Sequence, residues 1–185
     1  MEESLKTRRG DRAGSLLRAL VTAILVFVVD QGLKAVVEHS MRVGESVPLV
    51  PGLLSLTHIK NDGGAFGILG GSQLVLLAGS AVAVGVVLWM LLSGPTSRAT
   101  TFGCGLILGG AAGNLLDRLT AGAVTDYVHF SFWYIFNAAD AAITVGVGLL
   151  LLSALRPEGS EGASNGRPVG EDGESNPADR TSSLR

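Results

Sequence analysis

Nine polar side chains stand out in an otherwise apolar chain: Asp30, Lys34, Asn61, Asn114, Asp117, Arg118, Asp126, Asn137 and Asp140. Ionisable groups within apolar stretches are costly in a membrane, and their default reading is functional. Asp30 and Lys34 are four apart, so they share one helix face and can neutralise each other. The simplest reading of the two is a structural ion pair. Asn114 and Asp117, three apart in Gly113-Asn-Leu-Leu-Asp-Arg118, also share a face. Asp126 follows in Val124-Thr-Asp-Tyr-Val128, and Asp140 in Phe136-Asn-Ala-Ala-Asp140.

Elimination narrows the chemistry. The chain has no His-Glu-x-x-His pair, and His39, His58 and His129 are scattered, which disfavours a zinc protease. No Gly-x-Ser-x-Gly elbow appears within the apolar region, and phosphate-binding glycine loops are absent. Carboxylates remain. Two of them held close together cannot both ionise easily, so one pKa rises and the pair shares a proton. That is the working state of an aspartic protease. Spacing alone does not say which two.

The elements that must position these residues are membrane helices. Hydrophobic residues make up 47 % of the 185 and charged ones only 16 %, against about 25 % charged in an ordinary soluble domain. Mean hydropathy is +0.43. The net charge is −2, with no basic stripe interleaved with aromatics, so no nucleic-acid partner is expected. The single cysteine, Cys104, excludes an internal disulfide and reads as a small apolar residue within a helix. A crossing helix needs about 20 apolar residues. Four stretches qualify, near 19–37, 74–92, 100–116 and 136–155. The first is too long in its apolar part for a cleavable signal peptide.

Basic residues set the orientation. Lys6, Arg8, Arg9, Arg12 and Arg18 precede the first stretch, Arg98 lies between the second and third, and Arg156 closes the fourth. Only Arg42, Lys60 and Arg118 fall on the other side. Both termini are therefore expected in the cytoplasm, with loops 38–73 and 117–135 outside. This layout gathers all nine polar residues at the outer boundary, which predicts one site there. Gly105, Gly109 and Gly113, at four-residue spacing, predict close helix packing. Pro51-Gly52 reads as a turn between two short strands. Phe130, Phe132, Trp133 and Tyr134 read as an interfacial anchor. The expected organisation is a basic segment 1–14, a membrane domain 15–156 and a polar tail 157–185 too poor in apolar residues to fold.

Five blocks together resemble the bacterial lipoprotein signal peptidases, the type II signal peptidases. They are Asp30-Gln-Gly-Leu-Lys34, Asn61-Asp-Gly-Gly-Ala-Phe-Gly67, Gly109-Gly-Ala-Ala-Gly-Asn-Leu-Leu-Asp-Arg118, Val124-Thr-Asp126 and Phe136-Asn-Ala-Ala-Asp140. Their order matches too, over about residues 15–155. The resemblance implies an all-α polytopic membrane protein, four transmembrane helices with a small extracytoplasmic β-cradle, in the bacterial inner membrane. It implies Asp126 and Asp140 as the catalytic pair and Asn61, Asn114, Arg118 and Asn137 as substrate-site residues. Asp30, Lys34 and Asp117 match supporting positions, and neither metal nor other cofactor is implied. Substrates would be prolipoproteins carrying a diacylglyceryl group on a cysteine, cut just before that cysteine, with membrane lipids as surroundings and the enzyme monomeric. The chain departs from the family's usual pattern at Gly64, at Tyr127 and in a short Asp126–Asp140 segment, which points to a reduced flap. A proton-coupled carrier would also use intramembrane acids, but near the midplane between repeats. A non-enzymatic assembly factor would use them only for packing.

Overall fold

The computed structural model describes residues 2–62, 73–93 and 97–155. The tail from 157 onward and most of the Asn61–Gly67 block lie outside the described residues. Four helices and three strands follow in the order α1 (Glu2–Ser40), β1 (Ser46–Val50), β2 (Leu54–Asn61), α2 (Gln73–Ser93), α3 (Arg98–Thr120), β3 (Val124–Phe130) and α4 (Ala138–Ala154). α1 begins at Glu2 and runs without a break through the basic segment, which by composition resembles the tail.

α3 is the central helix, and its glycines explain why. A Cβ on Gly109 would stand 2.5 Å from the Ala23 carbonyl oxygen, and one on Gly105 would stand 2.7 Å from that of Ala19. These two glycines, with Gly113, seat α3 against α1. Gly110 faces the Ala139 carbonyl and Gly103 that of Gly146, so a second glycine edge seats α3 against α4. Close backbone approach of this kind is what small residues at helical spacing provide. The apolar core joins Ala19, Val87, Leu91, Cys104 and Ile107 from α1, α2 and α3.

Most of the remaining apolar surface faces outward. Leu25, Val28, Val82, Trp89, Val145 and Leu151 are each more than half exposed, whereas Asp30 and Lys34 are buried. An apolar exterior around a charged interior suits lipid, not water. Among the described residues two helices, α1 over Asp11–Ser40 and α3 over Arg98–Thr120, are long and apolar enough to cross a membrane. α4 is a shorter apolar helix, and α2 is apolar over its described Ala78–Ser93 part.

The strands make one antiparallel sheet in the order β1-β2-β3. The predicted turn at Pro51-Gly52 joins β1 to β2, with the Leu53 amide donating to the Val50 carbonyl at 3.0 Å and Gly52 at φ +74°. Proline second and a positive-φ glycine third is what a type II turn needs. β3 takes in one end of the aromatic group. Phe130 is the last residue of a strand and pairs with Leu54, while Phe132, Trp133 and Tyr134 remain exposed beyond it. Val37 and Met41 at the end of α1 pack on Tyr127 of β3, with Leu56 and Val128 beside them. This small cluster ties the sheet to the helices.

Candidate functional site

The site forms where the C-terminal halves of α1 and α3, the end of β2, the start of β3 and the N-terminus of α4 converge. Lys34 is its hub. Its ammonium lies 2.7 Å from Asp30 Oδ2 and 2.8 Å from Asp117 Oδ2, and it donates to Asn114 Oδ1 at 2.9 Å. The pair expected at Asp30 and Lys34 is therefore a triad. Its third member comes from α3, 83 positions beyond Lys34. Gly113 makes this possible, because a Cβ there would collide with the Asp30 carboxylate. Gln31 completes the knot by donating to Asp117 Oδ1 at 3.0 Å.

Asn114 and Asn137 carry the network onward. Asn114 donates to Asp140 Oδ1 at 2.8 Å. Asn137 donates to Asp126 Oδ1 at 2.7 Å and to Asn114 Oδ1 at 3.1 Å. Asn61, at the end of β2, donates to Asp126 Oδ2 at 2.8 Å. Both oxygens of Asp126 are thus held by side-chain amides, and one of those amides belongs to the residue that opens α4.

That opening is built entirely from site residues. Asn137 is the N-cap of α4 and forms a capping box with Asp140: the Asp140 amide donates to Asn137 Oδ1, and the Asn137 amide to Asp140 Oδ2. The first free amides of a helix need outside partners. Here the Ala138 amide donates to the Tyr127 hydroxyl at 3.2 Å and the Ala139 amide to Asp30 Oδ1 at 3.0 Å. The positive end of the helix dipole also favours the carboxylates gathered around it.

Burial pushes the Asp126 carboxyl up to about 6, with the nearby Asp140 charge adding to the rise, while bonds from Asn61 and Asn137 and the more distant Lys34 pull the other way. Burial likewise raises the Tyr127 phenol to about 12, so its hydroxyl stays neutral. Both carboxylates accept from amides: Asp126 from Asn61 and Asn137, Asp140 from Asn114 and the Asn137 backbone. Among the described residues no group of three or more His, Cys, Asp or Glu is placed to hold a metal ion.

Eight of the nine residues singled out in the sequence join this network: Asp30, Lys34, Asn61, Asn114, Asp117, Asp126, Asn137 and Asp140. Arg118 lies half-buried in the last turn of α3, one residue beyond Asp117. Gln31 and Tyr127 were missed as contributors. The Asn137-x-x-Asp140 spacing, a capping-box signature, was a local signal that could have marked Asn137 as a cap.

Helices with apolar exteriors around a buried polar network define the class: a helical membrane protein. Two solved structures of bacterial membrane enzymes, determined by the in meso method at 2.3 and 1.9 Å, share the fold. They have TM-scores of 0.71 and 0.67 and identities of 25 % and 26 %; the matches cover 80 % and 75 % of this chain and 94 % and 92 % of theirs. The sequence profile of signal peptidase (SPase) II matches residues 22–156. The chain belongs to the signal peptidase II family and is a peptidase of that family. It is 41 % identical to the lipoprotein signal peptidase of Halalkalibacterium halodurans over 143 residues, 75 % of this chain and 92 % of that one. It is also 37 % identical to the lipoprotein signal peptidase of Halothermothrix orenii over 132 residues, 71 % and 91 % of the two chains.

Proposed function

We propose that this chain is an aspartic endopeptidase that removes signal peptides from diacylglyceryl-modified prolipoproteins, cutting before the lipidated cysteine, with Asp126 and Asp140 as the catalytic pair. The observation that carries the reading is Asn137, which bonds to both carboxylates at once and holds them as one unit. One carboxylate, ionised, takes a proton from water as its oxygen attacks the scissile carbonyl. The other, protonated, donates a hydrogen bond to the carbonyl oxygen and then passes a proton to the leaving amine. The pair carries the protons that the reaction moves, so no metal enters the scheme.

Asn61, Asn114, Arg118 and Asn137 line the substrate side in this reading, and Asp30, Lys34 and Asp117 support it from behind. All four helices cross the bilayer, both termini are cytoplasmic, and the sheet lies at the outer face. Residues 15–156 form the working domain, flanked by a basic segment and a polar tail, and the enzyme acts as a single chain. The acyl chains of the substrate partition into the bilayer and hold the peptide bond against the pair, which turns lipid affinity into orientation.

The test is cleavage of a purified, lipid-modified prolipoprotein, read by product mass. Asp126→Asn and Asp140→Asn should each lose activity by on the order of 10²–10⁴-fold, with substrate binding largely retained. The double variant should lose little more than either single one. EDTA should leave the rate unchanged. Robust cleavage by either single variant, or loss of activity on chelation, sinks the assignment.

A further inference from the structure

Glu38, in the last turn of α1, takes no part in the network around the aspartates, yet it touches the residue before each of two site positions. Its Oε1 accepts from the Lys60 ammonium and from the Thr125 hydroxyl. Lys60 in turn donates to Thr125 at 2.8 Å. Lys60 precedes Asn61 and Thr125 precedes Asp126, and Lys60 and Thr125 are direct partners across the β2–β3 ladder. Side chains alternate faces along a strand. The three-way contact therefore grips the strand pair from the face opposite Asn61 and Asp126. The latter two sit diagonally on the ladder, where Asn61 pairs with Val124 and Asp126 with Ile59.

We propose that Glu38 is a positioning residue for Asp126: by joining Lys60 and Thr125 it fixes the register and twist of the two strands, and so the Asn61–Asp126 hydrogen bond. The proposal rests on the catalytic reading of Asp126. The ion pair itself adds little to stability, because Glu38 is 42 % and Lys60 34 % exposed. Thr125 is different: it is 1 % exposed, so its hydroxyl depends on these partners. The clamp also lines a cavity of about 170 Å³ bounded by Gln31, Lys34, Lys60, Asp117 and Thr125. With space beside it, the strand pair has somewhere to shift once the clamp opens.

The experiment measures kcat and KM on lipid-modified prolipoprotein for Glu38→Ala, Glu38→Gln and Thr125→Val, with Asp126→Asn as control and thermal midpoints alongside. A displacement of about 1 Å at a reacting group costs up to about a hundredfold in rate. Glu38→Ala is expected to lower kcat by about ten- to a hundredfold with KM nearly unchanged and the midpoint little moved. Glu38→Gln keeps an acceptor oxygen for both donors and should recover most of the rate. Thr125→Val, which keeps the shape and loses the hydroxyl, carries the same expectation as Glu38→Ala and serves where that variant does not accumulate. Full-speed turnover by Glu38→Ala or Thr125→Val, or equal losses in Glu38→Ala and Glu38→Gln, overturns the proposal. An active Asp126→Asn enzyme overturns instead the reading on which it rests.

Discussion

Lys34 touches Asp30 and Asp117 directly, whereas Asp126 and Asp140 are held by the amides of Asn61, Asn114 and Asn137. In the first cluster two carboxylates share one ammonium. The second surrounds acids with neutral donors, so a proton can be gained or lost without breaking an ion pair. Asn114 joins the two, accepting from Lys34 and donating to Asp140. The contrast separates acids that share a cation from acids held by neutral amides.

The largest expected effect comes from cutting the fixed cluster. Lys34→Met leaves two carboxylates in a low-dielectric interior without their cation, which costs about 3–5 kcal/mol. The variant should fail to accumulate or melt far below wild type. Replacing Asp30 and Lys34 together, the natural experiment for a two-member pair, would still strand Asp117. Only Asp30→Asn, Lys34→Met and Asp117→Asn combined removes the charge set, and that triple variant should be more stable than Lys34→Met alone. Equal or lower stability would show that the cluster is not bound by charge.

A smaller loss follows from Gly113→Ala. Its methyl would displace an Asp30 carboxylate already tied to Lys34 and to the Ala139 amide. Overpacking of this kind costs about 1–3 kcal/mol. Gly148→Ala, with nothing within 4 Å of the new methyl, should instead gain up to about 1 kcal/mol from helix propensity. Thermal or denaturant midpoints in one detergent compare the two, and equal shifts would remove the close approach at Gly113 from the account.

A pH profile sharpens the other side of the comparison. Asp126 binds its proton more tightly when folded, at about 6 against an ordinary 3.8. Its contribution is therefore fully present below about pH 4 and is lost as the pH rises towards 6. Asp126→Asn should flatten the stability profile across that window. A wild-type profile that falls no faster than the variant's would remove the raised carboxyl.

Much of the helical layout was legible because each apolar stretch carries its own signal. The turn at Pro51-Gly52 was equally local. β3 was not, since Val124–Phe130 pairs with a strand more than 60 residues earlier, and its terminal phenylalanine looks like part of an aromatic anchor. The knot shows the same division. Asp30 and Lys34 announce themselves four apart, but Asp117 reaches Lys34 only through the packing of α3 on α1, which Gly105, Gly109 and Gly113 allow. The catalytic assignment came from resemblance to a family, because spacing alone could not choose two acids from several.

The start of α4 has a further consequence. Its first amides are consumed by Tyr127, Asp30 and Asn137, which come from the sheet, from α1 and from the cap itself. A helix end that frays freely in water is here the point at which three separate elements are latched. Fraying of that turn and dismantling of the polar network are then one cooperative opening, with one free energy. Amide protons at Ala138, Ala139 and Asp140 should exchange together, at a rate set by how often the whole centre comes apart.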